Sequence, residues 1–261
     1  MKIISVDIQS EFGFFKKPDT NEIVYITFNC IHKPAILGIL GAIIGLSGYF
    51  ENNIFPDYYS KLKNLKIGIK PLDMEKTAFQ KTIIRYNNSL GYASKEEGGN
   101  LIIEEQTIIK PKYRIFIANE HPEFEKIYNN LKSQTAVFLP YMGKNDFSLW
   151  WDNFQEYSVS EFNFDIDYQI DSIFIKEKKI KDNTSGQITQ NYFDIFNLLK
   201  SKQKQQNNIT TFIIFERLPI GFNEKLKRYD YEEFVYTNSI FNKDYKIKNL
   251  YKINDKIIQL F

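Results

Sequence analysis

The stretch that decides the fold is Lys2-Ile3-Ile4-Ser5-Val6-Asp7-Ile8, followed by Phe12-Gly13-Phe14-Phe15-Lys16-Lys17-Pro18-Asp19-Thr20-Asn21. A second extended run from Glu22 to Asn29 then leads into His32-Lys33-Pro34-Ala35-Ile36-Leu37-Gly38-Ile39-Leu40-Gly41-Ala42-Ile43-Ile44-Gly45-Leu46. The first seven residues are almost continuously apolar or small, which predicts a strand. Pro34 sits where a first helical turn favours proline, so a helix is predicted over Pro34–Gly48. A strand therefore feeds a glycine-studded apolar helix whose start is flanked by cations.

Outward from that unit, extended signals recur at Ile23–Asn29, Leu65–Lys70, Ala78–Tyr86, Leu101–Ile109 and Tyr113–Ala118, all rich in β-branched and aromatic residues. A second helix is predicted at Pro122–Lys132, where Phe124, Ile127, Tyr128 and Leu131 share one face. Between Ala78–Tyr86 and Leu101–Ile109 lies a polar, Gly/Asn-rich tip, Asn87–Asn100, the mark of a long hairpin. Strand, helix, strand, long hairpin, helix, strand is compatible with an α+β, ferredoxin-like core of the RNA-recognition-motif type, ending near Phe138. Past Phe147 further strands are expected at Leu149–Ser158, Ile170–Ile175, Thr210–Phe215 and Phe234–Thr237, with one helix at Tyr192–Leu199 and a low-complexity loop over Lys200–Asn208. Two units follow: residues 1–147, with a hairpin insertion at about 78–109, and a β-rich C-terminal subdomain over 148–261.

The 261 residues carry 43% hydrophobic content, enough for a substantial core. The 23 Phe and 17 Tyr supply flat side chains for the core and for stacking on bases. A single cysteine, Cys30, excludes an internal disulfide and a cysteine-cluster metal site, and fits a reduced, cytoplasmic setting. Asp7 and Glu11 interrupt the place a signal peptide needs apolar, and Pro34–Ser47 is too short to span a bilayer needing ~20 residues. No carboxylate pair, His/Cys cluster or phosphate-loop motif implies a metal or nucleotide cofactor.

Net charge is only +2, so any polyanion must be held locally. From Lys61 to Arg114 eleven cations, among them Lys81, Arg85, Lys110, Lys112 and Arg114, face six acids; from 145 to 175 there are seven acids and no Lys or Arg. This divides the chain into a segment that attracts a polyanion and one that repels it, or into two solvated faces of uneven composition.

Gly38, Gly41, Gly45 and Gly48 form one side-chain-poor stripe on the first helix. They cost up to ~1 kcal/mol each against alanine, so close backbone approach should compensate. The approach is either to the chain's own sheet, or to a neighbouring subunit or RNA backbone. The helix start, with His32 and Lys33, is a candidate phosphate site; His32 is equally readable as a strand-end residue making one local hydrogen bond. Phe14-Phe15-Lys16-Lys17 offers stacking and phosphate contact together, although alternation must send one phenylalanine to the core. Pro140-Tyr141-Met142-Gly143-Lys144-Asn145-Asp146-Phe147 is a turn in which Gly143 permits close approach and Lys144 and Asn145 can reach a phosphate or base edge.

The opening unit and this last turn together resemble the "Cas five" family, the subunit of type I CRISPR Cascade complexes that holds the 5′ handle of the guide RNA, in its type I-B variant. The turn is similar to the family's tyrosine–aliphatic–glycine–basic–X–acidic–phenylalanine loop, with Met142 at the aliphatic place and Asp146 at the acidic one. The likeness covers the first ~150 residues. It implies a RAMP-superfamily fold whose long hairpin "thumb" traps a kink in the handle, and the insert at 78–109 sits where that thumb belongs. It also implies the backbone ("Cas seven") and large subunits as partners, and target DNA reached only through the assembled complex, in antiviral defence. In an RNA-recognition fold the first strand faces the nucleic acid, which directs attention to Phe14, Lys16 and Lys17. One branch of the family, from type I-C systems, is a metal-independent endoribonuclease that processes precursor RNA. Neither His32 nor His121 sits in a Tyr/Lys/His constellation matching that branch. The I-B-like opening points to systems where a separate endonuclease ("Cas six") cuts, so a non-catalytic role is expected, with the ribonuclease as alternative.

Overall fold

The opening stretch forms β1 (Lys2–Ser10) in the computed structural model, which describes residues 1–18, 23–50, 54–73, 78–89, 91, 95–176 and 212–261. Alternation sends Ile4, Val6 and Ile8 into one core and Ile3 into another, so β1 is covered on both faces. That is why its sequence is a near-continuous apolar run.

After β2 (Phe12–Gly13) and β3 (Val24–Tyr25), the chain enters helix α1 (Lys33–Ile44). His32, in an extended conformation, is its N-cap, and Gly45, at φ 79°, ends it in the left-handed region that glycine adopts without strain. The helix thus stops short of the expected Gly48. A short α2 (Asp57–Leu62) packs on it: a Cβ at Gly41 would lie 2.4 Å from Tyr58 Cβ, and one at Gly38 3.8 Å from the Tyr58 ring. Close approach at Gly41 is therefore to the chain's own second helix.

The remaining elements are β4 (Ile67–Pro71), β5 (Lys81–Asn87), β6 (Ile102–Ile109), β7 (Lys112–Ala118), α3 (Phe124–Lys132), β8 (Leu149–Glu161), β9 (Phe174–Ile175), β10 (Ile213–Asn223), β11 (Arg228–Thr237), β12 (Leu250–Ile253) and β13 (Lys256–Gln259). The fold class is α+β with strands dominating. The main sheet has the order β13-β12-β8-β1-β7-β4. β1 is antiparallel to both β7 and β8, and β4 is antiparallel to β7. Two strand–helix–strand crossovers therefore interleave: β1 and β4 run parallel around β7, and β7 and β8 run parallel around β1.

A last strand of this set was expected near Phe138, but β8 fills that place and carries the sheet across the expected boundary at 147/148. Residues 137 and 138 do something else. Val137 N–H donates to the Ile43 carbonyl at 3.1 Å and Phe138 N–H to the Ala42 carbonyl at 3.0 Å, supplying donors for carbonyls that a helix end leaves without partners.

At its far edges the sheet curls until it meets itself. Phe261, just past β13, exchanges backbone hydrogen bonds with Ile67 of β4, at 2.9 and 3.1 Å. Gly68 makes room, since a Cβ there would stand 2.8 Å from the Gln259 carbonyl oxygen. Ile3, Phe116, Ala118, Ile253, Ile258 and Leu260 fill the inside of the curl, and each is essentially buried.

The expected hairpin is present as β5 against β6, in register from Lys81↔Ile108 to Asn87↔Ile102. Residues 90 and 92–94 of its tip lie outside the described residues. At its base β6 also pairs with β2 and, in parallel, with β3. The run Ile23–Asn29 contributes only the two residues of β3 and a bridge between Thr27 and Lys16. A third sheet, β10-β11-β9, lies over the helix side. The helix at Tyr192–Leu199 and the loop at Lys200–Asn208 fall outside the described residues. Among the described residues no helix is long and apolar enough to cross a membrane.

Candidate nucleic-acid interface

The turn at 141–147 is closed by Met142 N–H donating to the Phe147 carbonyl at 2.8 Å and Phe147 N–H to the Lys144 carbonyl at 2.9 Å. Gly143 stands at φ 84°, and a Cβ there would sit 2.0 Å from the Phe14 carbonyl oxygen. Phe14 N–H in turn donates to the Met142 carbonyl at 3.1 Å. The two stretches that carry the family resemblance, more than a hundred residues apart, thus lie backbone on backbone.

Between them opens a cleft of about 490 Å³, walled by residues 14–16, the start of α1, the 138–143 segment and the β10–β11 hairpin. Phe14, Lys16, His32, Tyr141 and Gly143 all line it, joined by Tyr49, Tyr58 and Tyr229. Burial raises the Tyr58 phenol and pushes Tyr229 up to about 12, so both present neutral rings with hydroxyls intact. Phe14 is buried at the cleft floor, whereas Tyr141 is 44% exposed at its rim. Lys16 is exposed, its ammonium 3.5 Å from the Tyr25 ring centre. The cleft is aromatic and carries little charge, which suits flat bases better than phosphates.

The helix start differs from expectation. His32 is buried, its ring edge-on to Phe15, Phe28 and Tyr229 at 5.4–5.8 Å. Its Nδ1 accepts from Ala35 N–H at 3.3 Å, so it is an acceptor capping the helix and not a cationic donor. Ile36 N–H goes to the His32 carbonyl. The cap thereby occupies backbone donors that a phosphate would have used. Lys33 is also buried, donating to the Phe261 carbonyl at 3.1 Å, and burial lowers its pKa to about 8. The expectation of Lys33 as a donor at an open anion site is corrected, and of the two readings of His32 the geometry is that of the single local hydrogen bond.

Burial pushes the His32 imidazole down to about 3 from 6.5. The folded protein thus holds a neutral ring that the unfolded chain protonates near its ordinary value. Stability from this group is complete above about pH 6.5 and is lost as pH falls from there toward 3, on the order of 5 kcal/mol in all. Urea titrations across that window should show the decline, and His32→Asn, which retains a capping side chain, should flatten its slope. An unchanged slope in the variant would contradict the assignment.

Most other cations singled out from the sequence are paired. Arg114 grips Asp7 with two hydrogen bonds, Nε to Oδ1 at 2.6 Å and Nη2 to Oδ2 at 2.8 Å, in a pair that is nearly buried. It is a strut inside the sheet and is not presented to a ligand. Lys112 pairs with Asp73 at 3.3 Å, and exposed Arg85 lies 3.5 Å from Glu104. Lys144 donates to the buried Glu105 at 2.9 Å and lies 4.0 Å from the Tyr86 ring centre, tying the 141–147 turn to the hairpin. Asn145 and Lys110 are exposed. The surplus of cations between 61 and 114 is thus largely answered by acids elsewhere, among them Asp171 for Lys70 and Glu224 for Lys63.

The first strand was expected to face nucleic acid, but the curl of β12–β13 and the Asp7–Arg114 pair fill the face of β1 that carries Ile3 and Asp7. A network that no motif announced joins the segment before α1 to β10. Glu216 accepts from Asn29 N–H at 2.8 Å and Cys30 N–H at 3.1 Å, with Lys17 at 3.5 Å, while Lys81 donates to the Asn29 side chain. A lone glutamate in an alternating strand carries no signal of this. His121 accepts from Glu123 N–H at 3.2 Å, and its ring is also hydrogen-bonded to the backbone of Lys61. Among the described residues no three His, Cys, Asp or Glu side chains are placed to hold a metal ion.

No family model matches the chain, and no curated protein matches it by sequence. Solved structures match it by fold. A chain of the type III-B Cmr-beta complex, determined with cognate target RNA and AMPPnP bound, superposes at TM-score 0.50 with 11% identity, over 93% of this chain and 86% of that one. A CRISPR protein from Archaeoglobus fulgidus gives 0.49 with 13% identity over 99% and 98%. A chain of a CRISPR RNA-guided surveillance complex gives 0.47 with 10% identity over 94% and 93%.

Proposed function

We propose that this chain is a non-catalytic subunit of a type I, I-B-like CRISPR surveillance complex. In this reading it holds the 5′ handle of the guide RNA and joins the backbone and large subunits. The observation that carries the proposal is the cleft, where the two resemblance motifs meet and where rings and Lys16 surround a space of about 490 Å³. Two further features support it. Taking β1, β4, β7 and β8 as first to fourth, the sheet order fourth-first-third-second with two interleaved crossovers is the order expected of a ferredoxin-like core, which supports the RAMP reading. The β5–β6 hairpin leaves this core where the family's thumb would. The fold likeness to a chain of the type III-B Cmr-beta complex supports the coarser part of this reading, a CRISPR-associated fold. On this reading the RNA-recognition-like domain extends through β8 to about residue 161.

The cleft selects how the handle is held. With His32 neutral and Lys33 buried, an unstacked base against Tyr141 supplies more affinity than phosphate contacts do.

The test is purification with the associated RNA, sequencing of its 5′ ends, and filter binding with the handle so defined. A uniform 5′ end is expected. Tyr141→Ala should weaken handle binding roughly tenfold, in line with about 1–3 kcal/mol per stacked base. Lys16→Ala should cost less and reduce the salt slope by about one contact. RNA with ragged 5′ ends, or equal affinity for handle and scrambled RNA, would sink the proposal. Cleavage of a repeat hairpin in EDTA would replace it with the ribonuclease reading.

A further inference from the structure

Trp150 lies away from the cleft. Strand alternation buries its neighbours Leu149 and Trp151 and turns Trp150 to the other side of β8, where it is 45% exposed. Among the described residues its ring meets no other ring and no cation, and its indole N–H has no hydrogen-bond partner. It fronts a cavity of about 370 Å³ that also takes in Gln9, Phe79, Gln80, Lys110 and Lys112. Lys112 is held by Asp73. Lys110 is exposed, has no ion pair among the described residues, and is locked at φ 47°, a conformation lysine rarely adopts. Its N–H donates to the Glu11 carbonyl at 2.9 Å, and Pro111 follows it, so the backbone at this position is fixed while the side chain is free to reach a phosphate.

We propose that this cavity is a second contact for single-stranded RNA, in which Trp150 stacks on one unpaired base and Lys110 reaches the adjoining phosphate. The inference rests on the RNA-binding reading above and extends it to a separate surface. The surroundings favour RNA over a protein partner: beside Trp150 the lining mixes Phe79, Ile109 and Pro111 with amides and four charged side chains, and its apolar area is far below the roughly 800 Å² a side that a stable protein interface buries. Glu11 and Asp73 balance Lys110 and Lys112 within the cavity. Stacking therefore contributes most of the affinity, and its salt dependence is shallow. The two sites lie within one strand's reach. Gln9, opposite Trp150 in the β1–β8 register, is seven residues from Lys16 in the cleft, at most about 25 Å along the chain.

The full chain would be titrated with oligoadenylate of about twelve nucleotides, which is not the handle, while tryptophan fluorescence is recorded. Trp151 is buried with its Nε1 on the Leu131 carbonyl at 3.0 Å, so quenching reports Trp150. Quenching is expected in the wild type and should vanish in Trp150→Phe. Trp150→Ala should bind the same oligonucleotide roughly tenfold more weakly with an unchanged salt slope, and Lys110→Ala should lower that slope by about one contact. Absence of quenching, equal affinity of Trp150→Ala, or a loss confined to partner-subunit capture each overturns the inference. If Tyr141→Ala still loses handle binding while Trp150→Ala does not, only this second site fails.

Discussion

Gly143→Val is expected to destabilise the protein by about 3 kcal/mol or more and to abolish RNA binding. Two penalties coincide at this position. A β-branched residue at φ 84° costs of order 1–3 kcal/mol in backbone strain alone. Its Cβ would also fall 2.0 Å from the Phe14 carbonyl oxygen, a backbone atom that cannot rotate away. The 141–147 turn would have to lift from residues 14–15, breaking the hydrogen bond from Phe14 to Met142 and carrying Tyr141 out of the cleft. Gly48→Val is the control, because a Cβ there meets nothing within 4 Å; it should stay within about 0.5 kcal/mol of wild type. Urea midpoints of the two variants decide the matter. A Gly143→Val protein as stable as Gly48→Val would mean that the turn is not seated on Phe14 as described.

Asp7→Asn should cost about 3–5 kcal/mol, the second large effect. Asp7 is 4% exposed and accepts from both Arg114 nitrogens and from Asn153 Nδ2, the last at 2.8 Å. The amide retains the shape but leaves a guanidinium uncompensated inside the sheet, which is far more damaging than losing the pair as a whole. Asn153 reaches Asp7 because the β1–β8 register slips between Ser5 and Asp7, with Asn153 itself at φ 51°. The double variant Asp7→Leu/Arg114→Met, which removes both charges, should recover most of the loss. Equal stability of the single and double variants in chemical denaturation would show that the pair carries no such role.

The sequence made several features legible by local rules. Pro34 and the glycine-studded apolar run placed α1, although the helix ends at Gly45 where the backbone turns left-handed. The polar, glycine-rich tip between two β-branched runs marked the β5–β6 hairpin. The 141–147 turn and the 12–17 stretch were readable as candidate contacts from their residue types. The partners of the charged residues were not readable. Arg114 looked like a surface cation, Lys33 like a phosphate ligand, and His32 was equally readable as a donor or as a strand-end residue with one local hydrogen bond. Each is decided by groups about a hundred or more residues away, or by burial that no local pattern encodes.

What the sequence by itself determined is the positions of β1 and of β4 to β8, the glycine-bearing helix, the hairpin and the meeting of rings with lysines near residue 16, whereas β2, β12 and β13 were not expected. These follow from spacing within a dozen residues, where helix and strand periods and turn chemistry act directly. Only the tertiary structure decided that β8 joins the sheet beside β1, and that residues 260–261 fold back to Ile67 and cover the face expected to be open. Only it decided that Gly143 presses on Phe14 to shape an aromatic, nearly uncharged cleft. Such outcomes depend on which distant surfaces bury one another. Burial reverses the role of a charge, since a side chain that would hold a phosphate in water must find a fixed partner, or lose its proton, once water is removed.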